Sequence, residues 1–195
     1  MNRLETFFKT CAMNISDTDN DHPLLSYAVI ETPLSPMIAI GDDKSLYLLQ
    51  FMHQRNPEQK ISALAKKTNA RFMSGITQPI RSIEQELAAY FAGTLQTFTT
   101  PVTLIGTTFS KNVWQMLQKI PYGQTASYAR LAAAIGKPTA YRAVARANSI
   151  NFLPIIIPCH RIINANGNLG GYNGGIAYKV RLLELEKRML SENGQ

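Results

Sequence analysis

The side chain best suited to covalent chemistry is a cysteine set between a proline and a histidine. Cys159 follows Ile157 and Pro158 and precedes His160 and Arg161. The thiolate is the nucleophilic form of cysteine, and a neighbouring imidazole or cation favours it. A single cysteine in a core is more often an inert small hydrophobe, but this setting favours a nucleophile. Because proline fixes φ and ends regular hydrogen bonding, we expect the thiol at the end of a buried, strand-like run of isoleucines.

A hydrolase that uses Cys159 and His160 is one alternative. Adjacent residues of one segment seldom point at each other, so a direct dyad would be strained, and nothing in the sequence marks an oxyanion hole. Cys11 and Cys159 lie in unlike settings, and the histidines at 22, 53 and 160 are scattered. This pattern favours neither a disulfide framework nor a zinc site, which needs about four nitrogen or sulfur ligands. We expect no metal and no cofactor.

Basic charge is concentrated in the second half of the chain, although the formal net charge is only +7. Residues 1–100 carry 9 Lys and Arg against 10 Asp and Glu, whereas residues 101–195 carry 11 against 3. No acidic residue lies between Pro101 and Leu183. Such a one-sided balance is typical of contact with a phosphate backbone, with a merely basic surface as an equal alternative on charge alone.

The elements that must position Cys159 divide into two predicted domains, residues 1–100 and 101–195. The first begins with a polar leader (1–23) and continues with short apolar runs that predict an antiparallel meander followed by two helices. The second contains three short helices, and the break at 136–138 between the last two is typical of a helix-turn-helix. Ser127 is a good N-cap for the middle helix. The predicted strands cover 27–32, 37–40 and 46–51, and the predicted helices cover 61–68, 78–91, 109–120, 127–135 and 139–148.

The composition is that of a globular protein, with 45% apolar and 17% charged residues. No apolar run approaches the roughly 20 residues that span a bilayer, and the first 14 residues lack the apolar stretch of a signal peptide. We therefore expect a soluble, cytoplasmic protein without membrane contact.

The segment Pro158-Cys159-His160-Arg161 resembles the PCHR signature of the O6-alkylguanine-DNA alkyltransferase family, also called methylated-DNA–protein-cysteine methyltransferases. Further segments fall at the spacing of that family, so the match covers residues 109–188 closely, whereas the first hundred residues share only its general layout. These segments are 120–124, 127–128, 131–132, 136–138, 142–144, Asn151, 170–175 and 182–186.

The resemblance implies an α+β protein. Its N-terminal part would be a small antiparallel-sheet, RNase H-like domain with helices, and its C-terminal part a helical domain with a helix-turn-helix. The implied activity is single-turnover transfer of an alkyl group from O6 of guanine, and from O4 of thymine, in double-stranded DNA to Cys159. The free protein would be a monomer. Lesion binders that resemble this family lack the acceptor cysteine, which makes a non-enzymatic role the weaker alternative.

Five residues acquire catalytic roles from the resemblance. Cys159 resembles the alkyl acceptor, and His160 the general base that acts through a water. Glu186 resembles the carboxylate that orients this histidine, although an exposed helix glutamate would be the better interpretation without the resemblance. Asn151 resembles the asparagine that braces the active-site turn. Tyr128 resembles the acid that protonates the departing guanine at N3, where an ordinary core tyrosine is the alternative.

The resemblance also implies a base pocket and a DNA-binding helix. The carbonyls of Cys159 and Ile162 would accept from the exocyclic amine of guanine, and a glycine-rich loop would wall the pocket. Arg142 resembles the arginine that enters the minor groove and replaces the flipped base. The other pocket residues are Pro154, Tyr172, Asn173 and Gly174, and the other DNA-binding residues are Thr139, Ala140, Tyr141, Ala143 and Arg146.

Four residues depart from the pattern of the family. Tyr141 and Arg146 stand where many relatives have small residues. Asn148 replaces a residue that is apolar in some relatives, and Asn173 stands where some have serine. We expect these departures to affect docking on DNA and the range of alkyl groups accepted.

Overall fold

The computed structural model of the chain describes residues 22–54 and 57–193, with side chains through Ser191. Cys11 and nearly all of the predicted leader lie outside these residues. The chain divides into two compact units, one formed by residues up to 87 together with 99–105, the other by 88–98 and 106 onward. The predicted division at residue 100 therefore differs from the compact units in two short segments: residues 88–98 belong to the second unit, and residues 101–105 belong to the first. No helix within the described residues combines the length and the apolar character that crossing a membrane requires.

The first unit is built on a four-stranded sheet. Its strands are β1 (Leu24–Ile30), β2 (Met37–Gly41), β3 (Leu46–Phe51) and β4 (Arg71–Ser74), in the order β3-β2-β1-β4. The first three strands form the predicted antiparallel meander, whereas β4 pairs with β1 in parallel. The sheet is thus antiparallel over the predicted meander, and β4 adds one parallel edge strand that the sequence did not predict.

The fourth strand was missed because it has only four residues and its burial is uneven, with Phe72 buried and Met73 exposed. A parallel strand requires a crossover connection. That connection contains helix α1 (Glu58–Thr68), whose buried Ile61 and Leu64 complete the core of the unit.

The second unit is mainly helical. Its helices are α3 (Thr108–Leu117), α4 (Tyr128–Ala134), α5 (Tyr141–Ser149) and α6 (Ile176–Asn193), and the last turn of α2 (Gln78–Phe91) also belongs to it. The bounds of α2 agree with the prediction. Helix α3 ends three residues before the predicted end, and α5 begins at Tyr141, so Thr139 and Ala140 precede the helix.

The helices of the second unit are fixed by caps and by a buried tryptophan. The Ser127 side chain accepts from the Arg130 amide at 3.1 Å, which confirms the predicted N-cap of α4. Trp114 of α3 is buried and its Nε1 donates to the Ala147 carbonyl of α5 at 2.9 Å. This bond satisfies the indole where water cannot reach it. A short parallel pair, β5 (Ala126–Ser127) with β6 (Ile162–Ile163), joins the start of α4 to the segment after Cys159.

Candidate active site

Cys159 is held in a sequence of tight turns rather than at the end of a strand. Pro158 has φ −78° and ψ 61°, and the Cys159 amide donates to the Ile157 carbonyl at 2.7 Å, which is an inverse γ-turn. A single turn of 3₁₀ helix follows at Cys159–Arg161. The predicted burial of the isoleucines is confirmed, but the predicted strand was wrong. Ile155 has φ +74°, a left-handed conformation that is strained for a β-branched residue and incompatible with a strand.

Asn151 braces this turn and contacts the sulfur. Its Nδ2 donates to the Ile157 carbonyl at 3.0 Å and to Cys159 Sγ at 3.2 Å, while its Oδ1 accepts from the Leu153 amide at 2.9 Å. Asn151 and Cys159 are both buried. A donor aimed at sulfur favours the thiolate over the thiol.

His160 is paired with Glu186, as the resemblance implied. His160 Nε2 lies 2.8 Å from Glu186 Oε1, and both side chains are fully buried. Because Glu186 is an ionised acceptor, Nε2 carries the proton and Nδ1 is the basic nitrogen. Nδ1 is buried and has no hydrogen-bond partner in the described part of the chain. Burial lowers the pKa of His160, although Glu186 opposes this, so the ring is neutral and able to accept a proton.

Glu186 is the acceptor for several donors. Arg161 contacts it through Nε and through Nη2, the latter at 2.9 Å. The Tyr90 hydroxyl donates at 2.8 Å and the Gly123 amide at 2.9 Å. Burial opposes ionisation, yet the hydrogen bonds and charges of His160 and Arg161 hold the pKa of Glu186 at about 2. Glu186 therefore stays ionised at neutral pH and acts as a hydrogen-bond acceptor for all of these donors.

Gly123 suits this contact because of its backbone conformation. Its φ is +72°, which disfavours any residue with a Cβ. The glycine therefore allows the backbone to approach Glu186 closely enough to donate.

Glu186→Gln should reduce the acid sensitivity of the fold. Because the folded-state pKa of about 2 lies below the usual 4.5, the ionised carboxylate stabilises the protein above that usual value, and the stabilisation is lost as the pH falls toward the folded-state value. Between about pH 7 and about pH 3, this group alone should lower the free energy of unfolding by about 2 kcal/mol.

Urea unfolding at the two pH values measures this difference. The fall in unfolding free energy between the two pH values should be smaller in Glu186→Gln than in the wild type. Glu184→Gln is the control and should show the same fall as the wild type, since Glu184 is an exposed carboxylate on the same helix. Equal falls in the wild type and Glu186→Gln would show that Glu186 is not the acid-sensitive group.

Two tyrosines lie close to the thiol. Tyr128 is half-buried at the start of α4, and burial followed by the charge of Cys159 raises its pKa. Tyr172 has a buried hydroxyl beside Cys159, and burial again contributes most to raising its pKa well above the usual value. Both phenols therefore keep their protons at neutral pH, as a proton donor must.

The other predicted pocket residues surround the same turn. Pro154 is buried and forms an isolated bridge with Ile157. Asn173 Nδ2 donates to the Ser149 carbonyl at 3.1 Å, which ties the glycine-rich loop, including the half-buried Gly174, to the end of α5. The Ile162 carbonyl accepts from Lys179 Nζ at 2.5 Å.

Sequence reasoning missed the roles of Arg161, Tyr90 and Lys179. Lys179 is fully buried, and it also donates to the Leu169 carbonyl. A signal existed, because residues 179, 182 and 186 share one helical face and Leu182 is apolar. Tyr90 carried no signal, since it precedes Glu186 by 96 positions.

The predicted DNA-binding residues lie at the start of α5 and on its solvent face. Ala140 is half-buried and the other five are exposed, whereas Val144 and Ala147 face the core. The Arg142 guanidinium lies 5.8 Å from the centre of the Tyr141 ring, a cation–π distance. The exposed residues are Thr139, Tyr141, Arg142, Ala143 and Arg146.

These features define a class of protein in which a buried cysteine, followed directly by a His–Glu pair, lies in the same unit as a helix that exposes arginine. A family model described as "6-O-methylguanine DNA methyltransferase, DNA binding domain" matches residues 108–188. The methylated-DNA–protein-cysteine methyltransferase of Methanosarcina acetivorans is 40% identical over 160 residues, 82% of this chain and 97% of its own. The methylated-DNA–protein-cysteine methyltransferase of Mycobacterium leprae is 42% identical over 161 residues, which is 83% of this chain and 92% of its own.

A solved structure shows the same relationship. The crystal structure of Mycobacterium tuberculosis OGT in complex with DNA matches with a TM-score of 0.72 and 38% identity, over 85% of this chain and 94% of that one. The chain therefore belongs to the family of methylated-DNA–protein-cysteine methyltransferases.

Proposed function

We propose that this protein repairs DNA by transferring an alkyl group from O6 of guanine to its own Cys159. The observation that carries the proposal is the buried thiol contacted by Asn151 and followed directly by the His160–Glu186 pair. In the reaction, a bond forms between Sγ and the alkyl carbon as the bond from that carbon to O6 breaks. The thioether is stable, so each molecule acts once and is inactivated.

His160 serves as the base in this scheme. It accepts the thiol proton at Nδ1 through a water, because adjacent residues do not provide a direct contact. The imidazolium that forms is stabilised by Glu186, whose low pKa keeps the negative charge on the carboxylate. Asn151 supports the thiolate by donating to the sulfur.

Tyr128 balances the charge on the leaving base. Dealkylation leaves a guanine anion, and the Tyr128 hydroxyl protonates it at N3, which lowers the barrier. The carbonyls of Cys159 and Ile162 accept from the exocyclic amine and so select guanine. The walls around the alkyl group are formed by Pro154, Tyr172, Asn173 and Gly174. O4-alkylthymine, a similar alkylated oxygen, is a second substrate.

Helices α4 and α5 form the helix-turn-helix that contacts double-stranded DNA. Arg142 enters the minor groove and occupies the space of the flipped base, since the reactive atom is inaccessible within the stack. The small side chains of Ala140 and Ala143 allow close approach, while Tyr141, Arg146 and Thr139 contact the backbone. Binding tolerates any sequence, because minor-groove readout is degenerate. The domain formed by residues 1–100 has a structural role, and the protein acts as a monomer in the cytoplasm.

Intact-mass spectrometry tests the proposal. Incubation with a duplex that carries one O6-methylguanine should add the mass of one methyl group to the protein and restore guanine in the DNA. The same duplex with unmodified guanine is the control. Restoration of guanine without any gain in protein mass would contradict the proposal and favour a hydrolase.

A further inference from the structure

Asn148 is a buried polar residue with an unused acceptor at the edge of the active site. It lies on α5 and is 5% exposed. Its Nδ2 donates to the carbonyl of Cys159 at 3.4 Å. Its Oδ1 is buried and has no hydrogen-bond partner among the described residues. A buried acceptor without a donor is destabilising, and this acceptor lies beside the reactive cysteine, where a bound base would bring a donor.

The surroundings of this amide indicate what that donor is. Besides the Cys159 carbonyl, Asn148 lies beside the Tyr128 hydroxyl, whose pKa it lowers against the larger effects of burial and of the Cys159 charge. Under the proposed function, Tyr128 donates a proton to N3 of the base, and the Cys159 carbonyl accepts a hydrogen bond from its exocyclic amine. These two positions are neighbours on one edge of guanine, and the amine is the donor on that edge.

We propose that Asn148 Oδ1 shares one N–H of the exocyclic amine of the flipped base with the neighbouring Cys159 carbonyl, while the second N–H faces the Ile162 carbonyl. Asn148 is then a specificity-determining residue for amino-bearing bases. This inference rests on the proposed function. An apolar side chain at this position would fill the same space without forming a hydrogen bond with the amine. With asparagine, a base that lacks the amine leaves a buried acceptor unpaired and loses affinity in the transition state.

The test compares two substrates that differ only in this amine. Duplexes with O6-methylguanine or O6-methylhypoxanthine are reacted with excess protein under single-turnover conditions, with wild type and Asn148→Leu. Leucine has a similar size and neither donates nor accepts. The wild type should prefer the guanine substrate, and the leucine variant should lower that preference by about tenfold, mainly through slower reaction with guanine.

Ser110→Ala is the matched control. Ser110 is a buried polar residue of the same unit, and its hydroxyl bonds with that of Thr107. Its loss should destabilise the fold without changing the ratio of the two rates. If Asn148→Leu does not fold, as judged by thermal melting, Asn148→Ala replaces it, and the same fall in the ratio is expected.

The outcomes separate the two proposals. Methyl transfer with the same substrate ratio in the wild type and in the folded Asn148 variant would overturn the role of Asn148 and leave the proposed function intact. The absence of methyl transfer from either duplex to the wild type would overturn the proposed function, and this inference with it.

Discussion

Cys159→Ser should bind alkylated DNA and transfer no methyl group. A serine hydroxyl ionises far less readily than a thiol, and the neutral His160 is too weak a base to generate an alkoxide. Removal of a nucleophile typically costs several powers of ten in rate, so we expect a loss of at least roughly 10⁴-fold. The measurement is transfer of labelled methyl from a duplex to the protein, with DNA binding followed separately to show that the fold is intact.

Cys11→Ser is the matched control for this result, because it removes the other cysteine of the chain. It should transfer one methyl group at the wild-type rate. Labelling of Cys159→Ser to the same extent as the wild type would show that Cys159 is not the acceptor.

Arg142→Ala should impair the repair of duplex DNA far more than reaction with the free base O6-benzylguanine. Extrusion of a base costs a few kcal/mol, and a side chain that fills the vacated space offsets part of that cost. Its loss should slow repair in a duplex by about a hundredfold, since each 1.4 kcal/mol corresponds to about tenfold. The free base needs no extrusion, so its rate should change little.

Arg181→Ala provides the comparison for charge. Arg181 is an exposed arginine on α6, so this variant loses the same charge away from α5. It should lower duplex repair only slightly. Equal loss on both substrates in Arg142→Ala, or equal effects of the two arginine variants on the duplex, would contradict the role of Arg142 in base flipping.

Part of the active site could be predicted from the residues alone, because Cys159 and His160 are neighbours in the sequence. The resemblance to the family was needed to connect them to Glu186 and Asn151. In the structure, Glu186 Oε1 lies 2.8 Å from His160 Nε2, and Asn151 Nδ2 lies 3.2 Å from Cys159 Sγ. Without the resemblance, Glu186 would have been interpreted as an exposed helix residue, whereas it is fully buried.

The rest depends on contacts that no local pattern encodes. Tyr90 and Gly123 reach Glu186 across 96 and 63 positions. The short parallel strand β4 has too few buried residues to produce a period. The isoleucine run looked like a strand because three consecutive apolar residues are typical of a buried strand, whereas the positive φ of Ile155 has no signal in the residue types.

The hydrogen bonds to Glu186 also limit the mechanism. A carboxylate that accepts from His160, Arg161, Tyr90 and Gly123 has a pKa of about 2 and is ionised throughout the physiological range. In the proposed mechanism its contribution is therefore to orient the imidazole and stabilise its charged form, and the acid is another group, Tyr128. Burial raises the pKa of Tyr128, so this phenol still carries its proton at neutral pH.

A titration with excess substrate tests the central claim most directly. Increasing amounts of duplex O6-methylguanine are added to a fixed amount of protein, the restored guanine is counted per protein molecule, and the modified peptide is identified by mass spectrometry. Repair should stop at one guanine per molecule, with the methyl group on the peptide that contains Cys159. Continued turnover beyond one equivalent, or a methyl group on any other residue, would contradict irreversible transfer to Cys159.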